Sequence, residues 1–418
     1  MPEHVLVLEP LSSGARLPAA ARALGARVSV MALNSGSVEL DASCLPWIDE
    51  LIELNLSDEA AVVSAVARLH SRHPITAVIP GFEYFVPLAH RLAGRLGLRC
   101  NDLAHIDALR FKDRMADRAR QCGLRIPRTH AVVDERQARA AGDDVGYPAV
   151  VKAPDTAASC DVYKVRDAGE LLERCARIWR RPPEEDWEYP VAATALVQEF
   201  ITGREVSVET VAFGGDPALI NVTDKLVTDG PNFVELGHAV PAVLGPRELE
   251  AVRRLAVGVH RAYGIGVGAA HIELRLRDGE PVLIEAGARL AGGRIVDLVE
   301  LATGVDMVRE TVRAFLGAPA PERELGRLGG ACVRFVTAPA AGRFRLDGTA
   351  ALRSPFVHDL VLAAEVETSG ALRDYRDRHG HVVVRAATAA EAVRHADACL
   401  ELITFAPLPA TAAPRRCT

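Results

Sequence analysis

A chain of 418 residues is too long for one hydrophobic core, so two or three packed units are expected. Its 49 basic and 55 acidic residues leave a net charge of −6, with no basic block to follow a phosphate backbone, and nucleic acid is not an expected partner. No segment reaches the ~18 uninterrupted apolar residues of a membrane span, and the eight cysteines form no CxxC or Cys/His cluster, which argues against structural zinc and against a disulfide framework.

The opening MPEHVLVLEP has no basic region ahead of its apolar run. It reads as a first strand and not as a signal peptide, so a cytoplasmic location is expected. ARLPAAARALG follows as a helix, ARVSVMAL as a second strand, ITAVIPG as a later strand and FVPLAHRLAGRLG as the helix after it. This alternation predicts a small doubly wound α/β unit. Its first turn, EPLSSGAR, lacks GxGxxG and gives a dinucleotide site little support.

From Asn101 the pattern changes to a helical run around Arg110 to Cys122. GYPAVVKAPDTAASCDVYKV then supplies two strands, AVVKA and VYKV, joined by DTAAS. Such a small-residue loop, Ser159 included, is either a plain turn or a row of backbone N–H groups able to cover a phosphate. DAGELLERCARIWR reads as an amphipathic helix and ALVQEFITGREVSVETVAF as a long strand system. The third part begins near Pro319 and runs through GGACVRFVTAP, LVLAAEV, HVVVRAAT and the helix AAEAVRHADACLELI, an α+β pattern. The tail PLPATAAPRRCT is expected to be disordered.

Only four of the basic residues are lysines, Lys112, Lys152, Lys164 and Lys225, and all fall in one central stretch. A codon bias toward Arg explains the scarcity but not the clustering. A retained Lys suits a site that needs a compact ammonium on a flexible stem, as at a nucleotide phosphate. Lys112 and Lys152 are the strongest candidates, Lys225 the next, and Lys164 the weakest.

The sharpest signal is AHIELRLRDGEPVLIEAGARLAGGRIVDLVELATG. Period-two alternation on both sides of Asp-Gly predicts a β-hairpin. It places Glu273 and Glu285 among apolar neighbours, where a carboxylate needs a partner such as a divalent cation, or else Arg275 or Arg277 on a solvated face. A two-residue Asp-Gly loop would set Glu273 opposite Ile284 and point the acids to opposite faces. A three-residue loop, Asp278-Gly279-Glu280, sets Glu273 opposite Glu285, and it is the loop predicted here. Small residues then alternate with Arg289 up to Gly292 and Gly293, a floor on which a ligand can lie close to the backbone. Ile295, Leu298, Val299 and Ala302 give a helical apolar face that stops at Gly304.

Together these segments resemble the ATP-grasp enzymes and, among them, the L-amino-acid ligases (dipeptide synthetases) and related carboxylate-amine ligases. The resemblance covers essentially the whole chain in order and implies a three-domain architecture of α/β and α+β class. A leading α/β domain would span 1–105, an ATP-grasp centre 106–318 with a mobile lid over about 128–198, and a C-terminal α+β domain 319–418. It implies ATP and Mg2+, or Mn2+, as cofactors, and small carboxylate and amine substrates. A homodimer is compatible with it; nucleic acid and membrane are not expected partners.

Residue by residue, Lys112 in RFKDRM and Lys152 in PAVVKAP match the family's phosphate-binding lysines, with Ser159 in the lid loop. In LVQEFITGREVSVE the resemblance places adenine on the backbone of Glu199 and Ile201, and the ribose on Glu205. Glu273 and Glu285 match the metal ligands. Arg289 would steady the phosphoryl group and the acyl intermediate. Glu83 in VIPGFEYFVPLA would meet the substrate's amino group, Lys225 and His238 would lie near the acyl site, and Gly293 would leave room for a large acceptor amine. Two features depart from the wider superfamily: Gly287 stands where Asn is usual, and the lid loop is poor in glycine.

The implied reaction is activation of a carboxylate, an amino acid by the resemblance, as an acyl phosphate, followed by amide formation with release of ADP and phosphate. A bicarbonate-activating carboxylase of the same superfamily is the alternative. PGFEYFV and ELGHAVPA, which resemble the ligases, and the lack of a biotinyl carrier segment favour the ligase. An Arg-heavy composition fits a GC-rich bacterial genome, where such ligases often build peptide-like secondary metabolites.

Overall fold

Strands rich in Val, Leu and Ile open the chain and pair in parallel, in the order Glu50–Glu53, Arg27–Ala32, His4–Leu8, Ala77–Pro80. Parallel strands need helical cover on both faces. Val5, Val7, Val28 and Val30 pack on one side with Leu17 and Ala21, while Leu6, Leu8 and Met31 pack on the other with Val62, Val66, Leu69 and Phe85. The computed structural model describes residues 3–183, 189, 191–322 and 326–409.

An eight-stranded antiparallel sheet forms the centre, in the order Glu280–Gly287, Val267–Arg277, Arg204–Phe213, Pro217–Val227, Glu235–Val240, Gly330–Thr337, Arg378–Ala386, Val357–Leu362. Its last three strands come from beyond residue 319, so hydrogen bonding is continuous from the central segment into the C-terminal one, with Ala239 paired to Cys332. The helix Ile295–Thr303 lies between this sheet and the N-terminal unit. Its face of Ile295, Leu298, Val299 and Ala302 is fully buried in a core shared with Val5, Val30 and Val333.

A separate four-stranded sheet, in the order Thr129–Val132, Ala195–Glu199, Ala149–Lys152, Val162–Val165, carries the helices Glu135–Val145 and Ala168–Trp179 on its own core. AVVKA and VYKV pair antiparallel, with Lys152 opposite Val162. The C-terminal segment adds a small sheet of Glu365–Thr368, Gly342–Asp347 and Thr404–Pro407. Pro407, expected in a disordered tail, thus ends a strand, and Leu408 N–H donates to Arg343 O at 2.9 Å. Residues 410–418 of that tail lie outside the described ones.

The hairpin loop corrects the expected one. Arg277 pairs with Glu280, so the loop is two residues long, and Asp278 (φ 54°) and Gly279 (φ 79°) both take the left-handed backbone of a type I′ turn. Glu273 nevertheless faces Glu285, because the register shifts between Leu274↔Leu283 and Glu273↔Glu285. Ile284 is the extra residue of a β-bulge, and the bulge supplies the offset that a three-residue loop was meant to give.

Candidate active site

The three units enclose a cleft of ≈ 1380 Å³, and all thirteen site residues named from the sequence line it. Glu83 reaches it from the N-terminal unit; Lys152, Ser159 and Glu199 come from the separate sheet and its loop; Lys225, His238, Glu273 and Glu285 stand on the central sheet. Lys164 does not line it. Its ammonium lies 3.3 Å from Asp229 and over the Phe200 ring.

Glu273 and Glu285 are directly opposed on one face, where two like charges repel unless cations intervene. Each is held by a lysine: Lys225 Nζ lies 2.6 Å from Glu273 Oε1, and Lys112 Nζ 3.0 Å from Glu285 Oε1. Neither hairpin arginine pairs with them, since Arg275 holds Glu205 at 2.8 Å and Arg277 holds Glu199 at 2.7 Å. Lys225 also meets Glu205 at 2.9 Å and Glu235 at 3.1 Å. Burial opposes its charge, but the three carboxylates raise its pKa well above the usual lysine value, and Glu273 is held below the usual carboxylate range.

Lys152 is different. It is buried, and its ammonium makes no ion pair or hydrogen bond among the described residues. Burial first, and the Lys112 charge after it, lower its pKa to about 8 against the pull of Glu285, Glu273 and Glu205. Beside it, Lys112 Nζ donates to Thr156 O at 2.5 Å, and Arg110 Nη2 donates to Asp155 O at 2.5 Å. The loop after Lys152 is thereby tied down over the cleft. Ala158 (φ 54°) and Ser159 (φ 59°) take the left-handed backbone that glycine would adopt more readily, so the loop's shape is reached without the glycines.

Arg289 donates through Nε (2.8 Å) and Nη2 (2.5 Å) to Glu83 Oε2. Burial would raise the Glu83 pKa, but Arg289, Lys112 and Arg110 pull it down to about 2. His238 is fully buried between Phe335 and Gly293. Neither of its ring nitrogens has a hydrogen-bond partner among the described residues, and the Glu235 carboxylate Oε2 is 3.7 Å away. Gly293 has a φ of 59°, and a Cβ there would meet His238 Nε2 at 2.6 Å, so the bare backbone also makes way for the imidazole.

The residues expected on the adenine side are also engaged. Ile201 O accepts from Arg275 Nη1 at 3.0 Å, and Glu205 accepts from Arg275 and Lys225 through different oxygens. Several site residues lay beyond the sequence argument. Glu235 is clasped by Lys225 and by Arg378 (3.0 Å), and Arg378 comes from the C-terminal segment and stacks on Phe335. His271 sits between Glu209 and Glu273. Period-two spacing on the strand already puts His271 on the face of Glu273; Arg378 carries no such local signal, because only the tertiary fold brings it near.

These residues fit a hydrated divalent cation. Two opposed carboxylates whose charge is at present offset by two ammonium groups are a suitable anionic pair. Among the described residues no group of three or more His, Cys, Asp or Glu is arranged to hold a metal, so further ligands would come from phosphate oxygens and water, as magnesium prefers. No helix among the described residues is long and apolar enough to cross a membrane.

Three family matches agree with this geometry: residues 19–98 with an ATP-grasp N-terminal domain, 145–297 with an ATP-grasp domain, and 334–406 with L-amino acid ligase C-terminal domain 2. The chain is 24% identical to an alanine–anticapsin ligase of Bacillus subtilis over 60% of its own length and 56% of the relative's. Over 59% of its length it is 29% identical to carnosine synthase 1 of Homo sapiens, covering 29% of that protein. The matched part thus spans little more than half the length of the first curated relatives. The fold superposes on an L-amino acid ligase from Bacillus licheniformis with a TM-score of 0.79, 22% identity, and coverage of 97% of this chain and 99% of that one. The chain belongs to the ATP-grasp superfamily and carries a C-terminal domain of the L-amino acid ligase type.

Proposed function

We propose that the protein is an ATP-dependent carboxylate-amine ligase, which activates a carboxylate, an amino acid by its relatives, as an acyl phosphate and couples it to an amine. The observation that carries this reading is the opposed pair Glu273 and Glu285 with Lys112 and Lys152, in a cleft also lined by Glu83, Arg289 and His238. Division at about 105/106 and 318/319 into leading, ATP-grasp and C-terminal domains is part of the same reading, with the sheet of 129–199 as the lid.

Lys112 and Lys152 bind the phosphates, Ser159 and its neighbours cover them, and the 199–201 backbone with Glu205 receives the nucleoside. Glu273 and Glu285 would hold magnesium, or manganese, which when bound would offset phosphate charge. Arg289, fixed by Glu83, faces the negative charge that develops on the acyl group, and Glu83 Oε1 remains able to accept from a substrate ammonium. His238 and Lys225 border the acyl end. Closure of the cleft over an acyl phosphate would exclude the water that otherwise hydrolyses it.

The test is a matrix of amino acids and amines scored by phosphate release with ATP and magnesium, with bicarbonate as a separate arm. Amine-dependent phosphate release that Glu285→Ala abolishes in a folded protein is the expected result. Release driven by bicarbonate alone, or unchanged turnover in Glu285→Ala, would overturn the reading.

A further inference from the structure

We infer that His271 is a positioning residue that, anchored on Glu209, sets the carboxylate of Glu273 for the cation; this rests on the metal assignment above. His271 stands two residues before Glu273 on one strand face, opposite Glu209 on the neighbouring strand and opposite Gly287 on the other side. Its Nδ1 lies 3.2 Å from Glu209 Oε1 and its Nε2 3.3 Å from Glu273 Oε1. Gly287 contributes no side chain to that face.

The anchor is rigid. Glu209 is buried away from the cleft and accepts from Ser207 Oγ at 2.6 Å, Thr223 Oγ1 at 2.5 Å and Asn221 Nδ2 at 3.0 Å, so its remaining capacity is directed at His271. At the other end, Lys225 and His271 both hold Glu273 through Oε1, and Oε2 has no hydrogen-bond partner among the described residues. Two donors on one oxygen fix the carboxylate plane and leave the other oxygen for a ligand. Partners of this kind set the orientation of a metal ligand without touching the metal, and losing one typically weakens metal binding about 10–100-fold.

The test uses the full chain with a non-hydrolysable ATP analogue and titrates Mn2+ by electron paramagnetic resonance. His271→Ala and Glu209→Gln are both expected to weaken Mn2+ about 10–100-fold while analogue affinity without metal is retained. In turnover, the KM for Mg2+ should rise and saturating Mg2+ should restore most of kcat, a split that general destabilisation does not produce. If His271→Ala does not fold, Glu209→Gln carries the test, since glutamine keeps the shape and one of the two acceptor oxygens while removing the charge that anchors His271. Mn2+ affinity within about twofold of wild type in either folded variant overturns the inference. Glu273→Gln is the control: if it too leaves Mn2+ binding unchanged, the metal assignment fails, and this inference with it.

Discussion

Lys152 shows most directly how a single residue signals this site. An ammonium buried without an ion pair costs the fold stability, and such a cost persists where a ligand will supply the missing charge. Its pKa of about 8 means that in the free protein the ammonium is charged below that pH and neutral above it. We therefore expect kcat/KM for ATP, which reports groups of the free enzyme, to fall as pH rises through about 8, and Lys152→Arg to remove that limb. Lys152→Met should lose activity with no loss of thermal stability, because it removes a buried charge and no bond. A flat pH profile together with a lowered melting temperature would assign Lys152 to structure instead. This residue was legible from composition: a chain that uses Arg nearly everywhere keeps four lysines, and three of them line the cleft while Lys164 pairs outside it.

At the scale of elements, the hairpin shows how a sequence can yield the right juxtaposition for the wrong reason. Facing carboxylates follow from chemistry, since both acids need one partner, but loop length and bulge are alternative ways to shift a register by one residue. Asp-Gly favours the I′ turn strongly enough to fix a two-residue loop, which leaves the offset to Ile284. A bulge has no signature in residue alternation, so it was not legible. The small C-terminal sheet was legible only in part. Gly342–Asp347 alternates Arg with buried Phe344 and Leu346, whereas Glu365–Thr368 and Thr404–Pro407 offer four positions each, too few for a period to show. The turn after Arg289 makes a sharper case for substitution. Gly293→Ala meets two costs, a left-handed φ worth about 1–2 kcal/mol and the clash with His238. In a His238→Ala background only the first remains. A double-mutant cycle in thermal or urea unfolding should therefore show Gly293→Ala less destabilising in that background than in the wild-type chain, and additive values would remove the contact from the account.

The whole molecule is less divisible than its three-part sequence pattern suggests. The composition changes near Pro319, but the sheet does not stop there: Glu235–Val240 pairs with Gly330–Thr337, and that strand with Arg378–Ala386. One of the two strand partners of His238, Val333, and the Arg378 clasp on Glu235 thus come from the last hundred residues, a long-range arrangement that local periodicity cannot report. Removing the chain after Gly317 would leave Glu235–Val240 as an edge strand and uncover Val240 and the Ile295–Thr303 helix, both now packed against Ala331, Val333 and Val383. An uncovered apolar edge of this kind pairs with other chains. Residues 1–317 expressed alone are therefore expected to aggregate or to lack a cooperative unfolding transition, as read by size-exclusion chromatography and thermal melting. A monomeric fragment with a sharp transition that still binds a nucleotide analogue would instead mean that the C-terminal segment is an appended domain, and that the acyl end of the cleft, not the fold, is what it completes.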